Sequence, residues 1–186
     1  MVAYAGRYKK QESRENAMRN TRNNATVHFA SFLARPTPPM IFLVTSIVAF
    51  IVGFFSNERA SHLQSRIPII GHFFGLELVH NEGIAYGIRI PSPWQEIVIL
   101  CALGLVIYSA FHERKSRLLS IAFGLIVGGA AANMTDRLLN GFVTDYIQVG
   151  TFYVFNIPDS LITIGAALLL WQGFWDWRRK RDRRSA

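Results

Sequence analysis

Four stretches of the chain run without a charge: Pro36–Asn57, Ile97–Phe111, Leu118–Thr135 and Ser160–Trp175. Each is apolar all round, with no polar stripe at helical spacing, a pattern that suits helices surrounded by lipid and not those of a soluble bundle. A helix needs about 20 apolar residues to cross a bilayer. Two of the runs fall short of that, but Trp94, Gln95, His112, Trp171 and Trp175 at their borders extend them into the interfacial layers. The pattern predicts an all-α polytopic membrane protein with four transmembrane helices. Between the first two, RIPIIGHFFGLELVHNEGIAYGIRI (66–90) mixes β-branched and aromatic residues with Gly and Pro in short alternations. That predicts a small β-rich element outside the membrane. The connection between the third and fourth spans is punctuated by Gly141 and Gly150. Residues 1–35 lack a sustained apolar stripe and form a polar tail, ahead of a membrane domain at 36–177 and a short basic tail at 178–186.

Charge adds orientation. The 186 residues include 20 Lys and Arg against 12 Asp and Glu, for a net charge of +8. Seven of the basic residues precede residue 36, three lie in HERKSR (112–117) and six in RRKRDRR (178–184). With four spans these three clusters share one side, which the positive-inside rule makes the cytoplasm. The connections at about 58–94 and 136–159 then face outward. Basic clusters interleaved with long uncharged runs exclude a soluble nucleic-acid binder. The first span starts too far from the N-terminus for a cleaved secretory signal and is expected to stay as an anchor. Cys101 is the one cysteine, set in an apolar run, so neither an internal disulfide nor thiolate chemistry is expected. His72 and His80 have no partners at ligand spacing and read as loop residues, so no metal site is expected.

Against this background two carboxylates stand out. Asp145 and Asp159 lie fourteen positions apart, near the outer ends of the third and fourth spans. An ionisable group near a bilayer costs a few kcal/mol and marks a functional site by default. Two carboxylates meeting at one membrane face suit general acid–base work on a water molecule. Asn156-Ile157-Pro158-Asp159 also reads as a helix start, with Asn as the cap, Pro in the first turn and Asp at the positive end of the helix dipole. Small residues at Gly128–Ala132 allow close helix packing. Asn133 and Arg137 share a helix face with Asp136 beside them, and Asn81 precedes Gly83 at a turn.

Taken together, N-x-G-x-A from Asn81, then G-G-x3-N-x-x-D-R-x3-G-x-V-x-D from Gly128 to Asp145, then F-N-x-x-D-S opening the fourth span, resemble lipoprotein signal peptidase (signal peptidase II). The resemblance covers about residues 41–176. It implies a membrane aspartic endopeptidase that removes signal peptides from diacylglyceryl-modified prolipoproteins, cutting just before the lipid-bearing cysteine. The family's catalytic aspartates fall on Asp145 and Asp159, and its supporting residues on Asn81, Gly83, Asn133, Asp136, Arg137 and Asn156. The resemblance further implies residence in a bacterial inner membrane, an active site at the extracytoplasmic face, membrane lipid and prolipoproteins as partners, and no cofactor. Two departures are visible. Where the family has Asp-Gln-x-x-Lys at the outer end of the first span, this chain reads SNERASHL (56–63), with Asn57 or Glu58 as the stand-in; and Pro158 replaces a common Ala.

Two other classes compete for the same residues. A small proton-coupled transporter also needs intramembrane carboxylates, but near the bilayer midplane, whereas Asp136, Asp145 and Asp159 cluster at span ends. A non-catalytic membrane scaffold would carry them as packing groups. Serine and metallo-protease chemistry lacks its G-x-S-x-G or H-E-x-x-H signature in this chain.

Overall fold

A computed structural model describes residues 37–83, 91, 93–113, 116–151 and 154–184. The expected polar tail at 1–35 and the stretch 84–90 lie outside the described residues. The chain divides at Thr37, and all that follows concerns the unit that begins at Pro38. In chain order its elements are α1 (Pro38–Ser61), β1 (Ile67–Ile70), β2 (Phe74–Asn81), α2 (Trp94–Glu113), α3 (Arg117–Asn140), β3 (Val143–Val149) and α4 (Ile157–Asp182). All four helices are long and apolar enough to cross a membrane. The spans expected at the four uncharged runs are therefore present.

The helices extend beyond those runs. α1 continues through Glu58 and Arg59 to Ser61, and α4 through the basic run to Asp182. Charge bars a residue from hydrocarbon but does not break a helix, whose backbone bonds are internal. The basic tail expected from residue 178 is thus helical as far as Asp182.

α3 is the core of the bundle. Half of its apolar window (50%) is buried within the protein, against 17% for α1 and 11% each for α2 and α4. Small residues make this central position possible, since apolar helices in lipid associate through close packing and not through water exclusion. A Cβ added at Gly128 would collide with the Ser46 carbonyl of α1, and one at Gly129 would lie 2.7 Å from the Pro158 carbonyl oxygen of α4. α3 is bounded by Ser116, whose hydroxyl accepts from the Leu119 N–H at 3.2 Å. At the other end Gly141, at φ +82°, takes the left-handed conformation that closes a helix.

The strands form one antiparallel sheet in the order β1-β2-β3. The expected β element after the first span supplies β1 and β2. The third strand comes from the connection between α3 and α4, where only glycine punctuation marked the sequence. Its seven residues pair with β2 in the register Val79↔Asp145, His80↔Thr144 and Asn81↔Val143. So short a strand has no local signature strong enough to find a partner more than sixty residues earlier. Beyond β3 the chain turns back at Gly150. The bridge Ile147↔Phe155, with N–H···O distances of 2.7 and 3.1 Å, delivers it to the start of α4.

Candidate active site

Asp145 is the third residue of β3 and only 2% exposed. Asp159 is the third residue of α4. The strand and the helix are joined by Asn156, which is fully buried. Its Oδ1 caps α4 by accepting from the Asp159 N–H at 2.8 Å, and the Asp159 carboxylate accepts in return from the Asn156 N–H at 3.4 Å. This is the reciprocal capping box that the sequence N-I-P-D allows. The same side chain's Nδ2 donates to Asp145 Oδ1 at 3.0 Å, and shares its remaining hydrogen between Asn133 Oδ1 at 3.1 Å and the Thr144 carbonyl at 3.2 Å. One amide therefore ties the helix cap that holds Asp159 to the carboxyl of Asp145.

Two further amides complete the network. Asn133, one turn along α3 from the close contact at Gly129, donates to Asp159 Oδ1 at 2.7 Å. Asn81, the last residue of β2, donates to Asp145 Oδ2 at 2.9 Å and accepts from the Gly83 N–H at 2.9 Å. Arg137 does not pair with either aspartate. Its guanidinium, on a residue 6% exposed, donates to the carbonyls of Glu82 at 3.0 Å, Gly83 at 2.6 Å and Asn81 at 3.4 Å. Gln95, at the start of α2, adds a second donor to the Glu82 carbonyl at 2.9 Å. Arg137 thus clamps the backbone that aims Asn81.

Asp136 has a separate set of donors: the Thr144 N–H at 2.7 Å, Asn140 Nδ2 at 2.7 Å and Asn57 Nδ2 at 3.1 Å. It braces the residue before Asp145 against α3 and α1. Asn57 is 3% exposed, whereas the Glu58 side chain is 57% exposed and faces His62. Of the two candidates in SNERASHL, Asn57 is the one that reaches the site. Sequence reasoning left that choice open, and it missed Gln95, Asn140 and Thr144, which carry no motif of their own.

Burial pushes the Asp145 carboxyl up from an ordinary 3.8 to about 7. The Asn81 hydrogen bond opposes that rise, the charges of Asp159 and Asp136 add to it, and Arg137 counters it. The neighbouring Tyr146 phenol is also raised, again mainly by burial; its oxygen accepts from the Ile157 N–H at 3.4 Å, at the open end of α4.

A cleft of about 180 Å³ opens beside these groups. Asn81, Asn133, Arg137 and Asp159 supply its polar lining, and Ile99, Ala130, Met134, Val143 and Ile162 its apolar lining. Asp159 is among the residues lining this cleft, and Asn81, which donates to Asp145, lines it too. All eight site residues expected from sequence (Asn81, Gly83, Asn133, Asp136, Arg137, Asp145, Asn156 and Asp159) thus belong to one hydrogen-bonded cluster. His72 and His80 do not join it, and among the described residues no three His, Cys, Asp or Glu are grouped for a metal ion.

Fold and site define a polytopic membrane protein built around a carboxylate-bearing cleft at the ends of its spans. Residues 42–175 match the family model described as signal peptidase (SPase) II. A lipoprotein signal peptidase of Halothermothrix orenii is 36% identical over 140 residues, covering 72% of this chain and 96% of the relative. One of Shouchella clausii is 44% identical over 111 residues, covering 58% and 74%. A solved structure, described as a bacterial membrane enzyme determined by the in meso method at 2.3 Å, superposes with a TM-score of 0.68 at 25% identity, over 75% of this chain and 90% of that one. The chain belongs to the signal peptidase II family, and it is accordingly a membrane peptidase.

Proposed function

We propose that this peptidase is an aspartic endopeptidase with Asp145 and Asp159 as its dyad, acting on diacylglyceryl-modified prolipoproteins. The observation that carries the reading is the single Asn156 side chain that touches both partners, capping Asp159 and donating to Asp145. The Asp145 carboxyl feels the charge of Asp159, and two coupled carboxyls in a poorly solvated site share one proton, because both charges do not form easily. Asp159, on the cleft wall at the positive end of the α4 dipole, is the carboxylate that takes a proton from water. Asp145, kept neutral by burial up to about pH 7, supplies the proton that the scissile carbonyl oxygen receives as the water oxygen attacks its carbon. When the tetrahedral adduct collapses, the carbon–nitrogen bond breaks. The proton taken from water passes to the leaving amine, which becomes the new N-terminus of the lipidated cysteine, while one hydroxyl of the adduct returns its proton to Asp145 as the carbonyl re-forms. The chemistry runs on carboxyls and water alone, with no metal or cofactor. The apolar lining of the cleft suits the hydrophobic end of a signal peptide, and Asn133 and Arg137 supply polar groups beside it.

The same reading puts the basic clusters in the cytoplasm and the site at the outer face of a bacterial inner membrane. The test is gel mobility of a lipidated model prolipoprotein incubated with wild type, Asp145→Asn and Asp159→Asn. Both variants are expected to insert and fold yet leave the precursor uncut. Turnover near wild type in either, at equal expression, would rule out the aspartic mechanism.

A further inference from the structure

The far end of α4 carries groups that peptide cleavage does not use. At 1.5 Å per residue its 26 residues make a helix of about 39 Å. The hydrocarbon core is about 30 Å, which about 20 residues cross. Counted from the end bearing Asp159, the crossing is complete near Asp176, and the helix projects about 10 Å further. That projection holds Arg178, Arg179, Lys180 and Arg181, with Arg183 and Arg184 directly after it. All six are exposed. At about 100° per residue they point to every side of the helix axis, with no gap wider than about 100°. Asp182 is the one acidic residue among them, 3.8 Å from Arg181.

The arrangement discriminates between partners. A protein docking on a helix reads one face and would be met by a stripe. A charged layer through which the helix stands is met by a ring. The ring here sits directly beyond exposed Trp171, Phe174, Trp175 and Trp177, side chains that settle at a membrane interface. Two guanidiniums lie against that aromatic belt, Arg178 at 5.5 Å from the Trp175 ring and Arg181 at 5.1 Å from Trp177. Such cation–π contacts hold the arginines at headgroup depth. Arginine's forked donors also match phosphate oxygens in geometry as well as charge.

We infer that this collar binds the phosphate groups of anionic phospholipids in the leaflet at the C-terminal end of α4. The inference is independent of the catalytic dyad. It is tested with the purified full chain, by native mass spectrometry of retained lipid after exchange into phosphatidylglycerol or phosphatidylcholine mixed micelles. Wild type is expected to retain phosphatidylglycerol at least about tenfold better, given the gain each basic residue makes at an anionic surface, and to lose that preference in high salt. Replacing all six basic residues by Gln should bring the preference within about twofold while leaving turnover in detergent unchanged, since none of the six is near the cleft. If that variant fails to insert, the partial variants R178Q/R179Q and R183Q/R184Q, each neutralising two of the six, carry the same test and should show intermediate retention. Undiminished phosphatidylglycerol retention in the neutralised chains, or no preference in wild type, overturns the inference. Displacement of the lipid by millimolar inorganic phosphate does so too, because it would make the collar a site for free anions.

Discussion

Asp145→Asn removes the titration of one buried carboxyl. In the fold that group is pushed from an ordinary 3.8 to about 7, chiefly by burial, against the opposing bond from Asn81. A raised value means the folded chain holds the proton more tightly than the unfolded chain. Stability from this group is therefore lost as pH climbs from near 4 through about 7. Between about pH 5 and about pH 8 the linkage relation gives a loss of roughly 2–3 kcal/mol from Asp145 alone. In a protein of this size each kcal/mol moves the thermal midpoint by about 2–4 °C, so the wild-type midpoint should fall by about 5–10 °C over that interval from this source. Asparagine has one oxygen for the two amide donors, Asn81 and Asn156, that Asp145 accepts from. One donor loses its acceptor, a cost of about 1–3 kcal/mol that does not vary with pH. The variant is thus expected to start lower but to decline less steeply. The five histidines and the carboxylates other than Asp136 and Asp159, whose charges act on position 145, contribute to both curves alike. The assay is thermal unfolding of both proteins in one detergent across the pH series. Parallel midpoint-versus-pH curves would refute the assignment of a buried, raised carboxyl at position 145.

Asn57→Leu deprives Asp136 of one of its three donors but also removes the Asn57 Oδ1, which is buried without a hydrogen-bond partner. The two effects partly offset, so a loss of about 1–2 kcal/mol is expected, read as a lower midpoint, together with reduced kcat because Thr144 and Asp145 are braced less firmly; an unchanged midpoint and kcat would contradict the bracing role. Gly129→Ala should cost about 1–3 kcal/mol and most of the activity, because its Cβ meets the backbone at Pro158 and must push the start of α4 away from Asn133. Gly104→Ala on α2, where nothing lies within 4 Å of the added carbon, is the control expected to be neutral or mildly stabilising, and equal behaviour of the two alanine variants would count against the packing argument.

What the sequence disclosed depended on how local each signal was. The four spans are local, since uncharged runs long enough to cross a bilayer leave little choice of structure. The cap at Asn156 is also local, since Asn, Pro and Asp fall within four residues. The motif residues could be assigned to one site because their blocks recur together, although each block alone has an ordinary structural reading. Strand β3 was not legible, because its reason for being extended is β2, far back in the chain. Nor was the role of Asn57, which rests on a hydrogen bond to a residue 79 positions away. Side chains that support a site across helices are chosen by three-dimensional proximity, and no spacing in the chain records it. The helix ends went unpredicted for a different reason. Charge marks where the hydrocarbon stops, while backbone hydrogen bonding decides where the helix stops.

The position of Asn156 in the chain also sets a timetable for biogenesis. Asn81, Asn133, Asp136 and Asp145 are all synthesised before it, and Asp159 follows three residues later. A nascent chain with three spans in the membrane has the strand carrying Asp145, but neither the amide that orients it nor the second carboxylate. Insertion of the last helix supplies the cap, the bridging amide and the partner acid in a single event. On the dyad reading, the peptidase stays inert through most of its own synthesis. A chain cut short anywhere ahead of α4 then cannot attack the signal sequences of proteins crossing the same membrane.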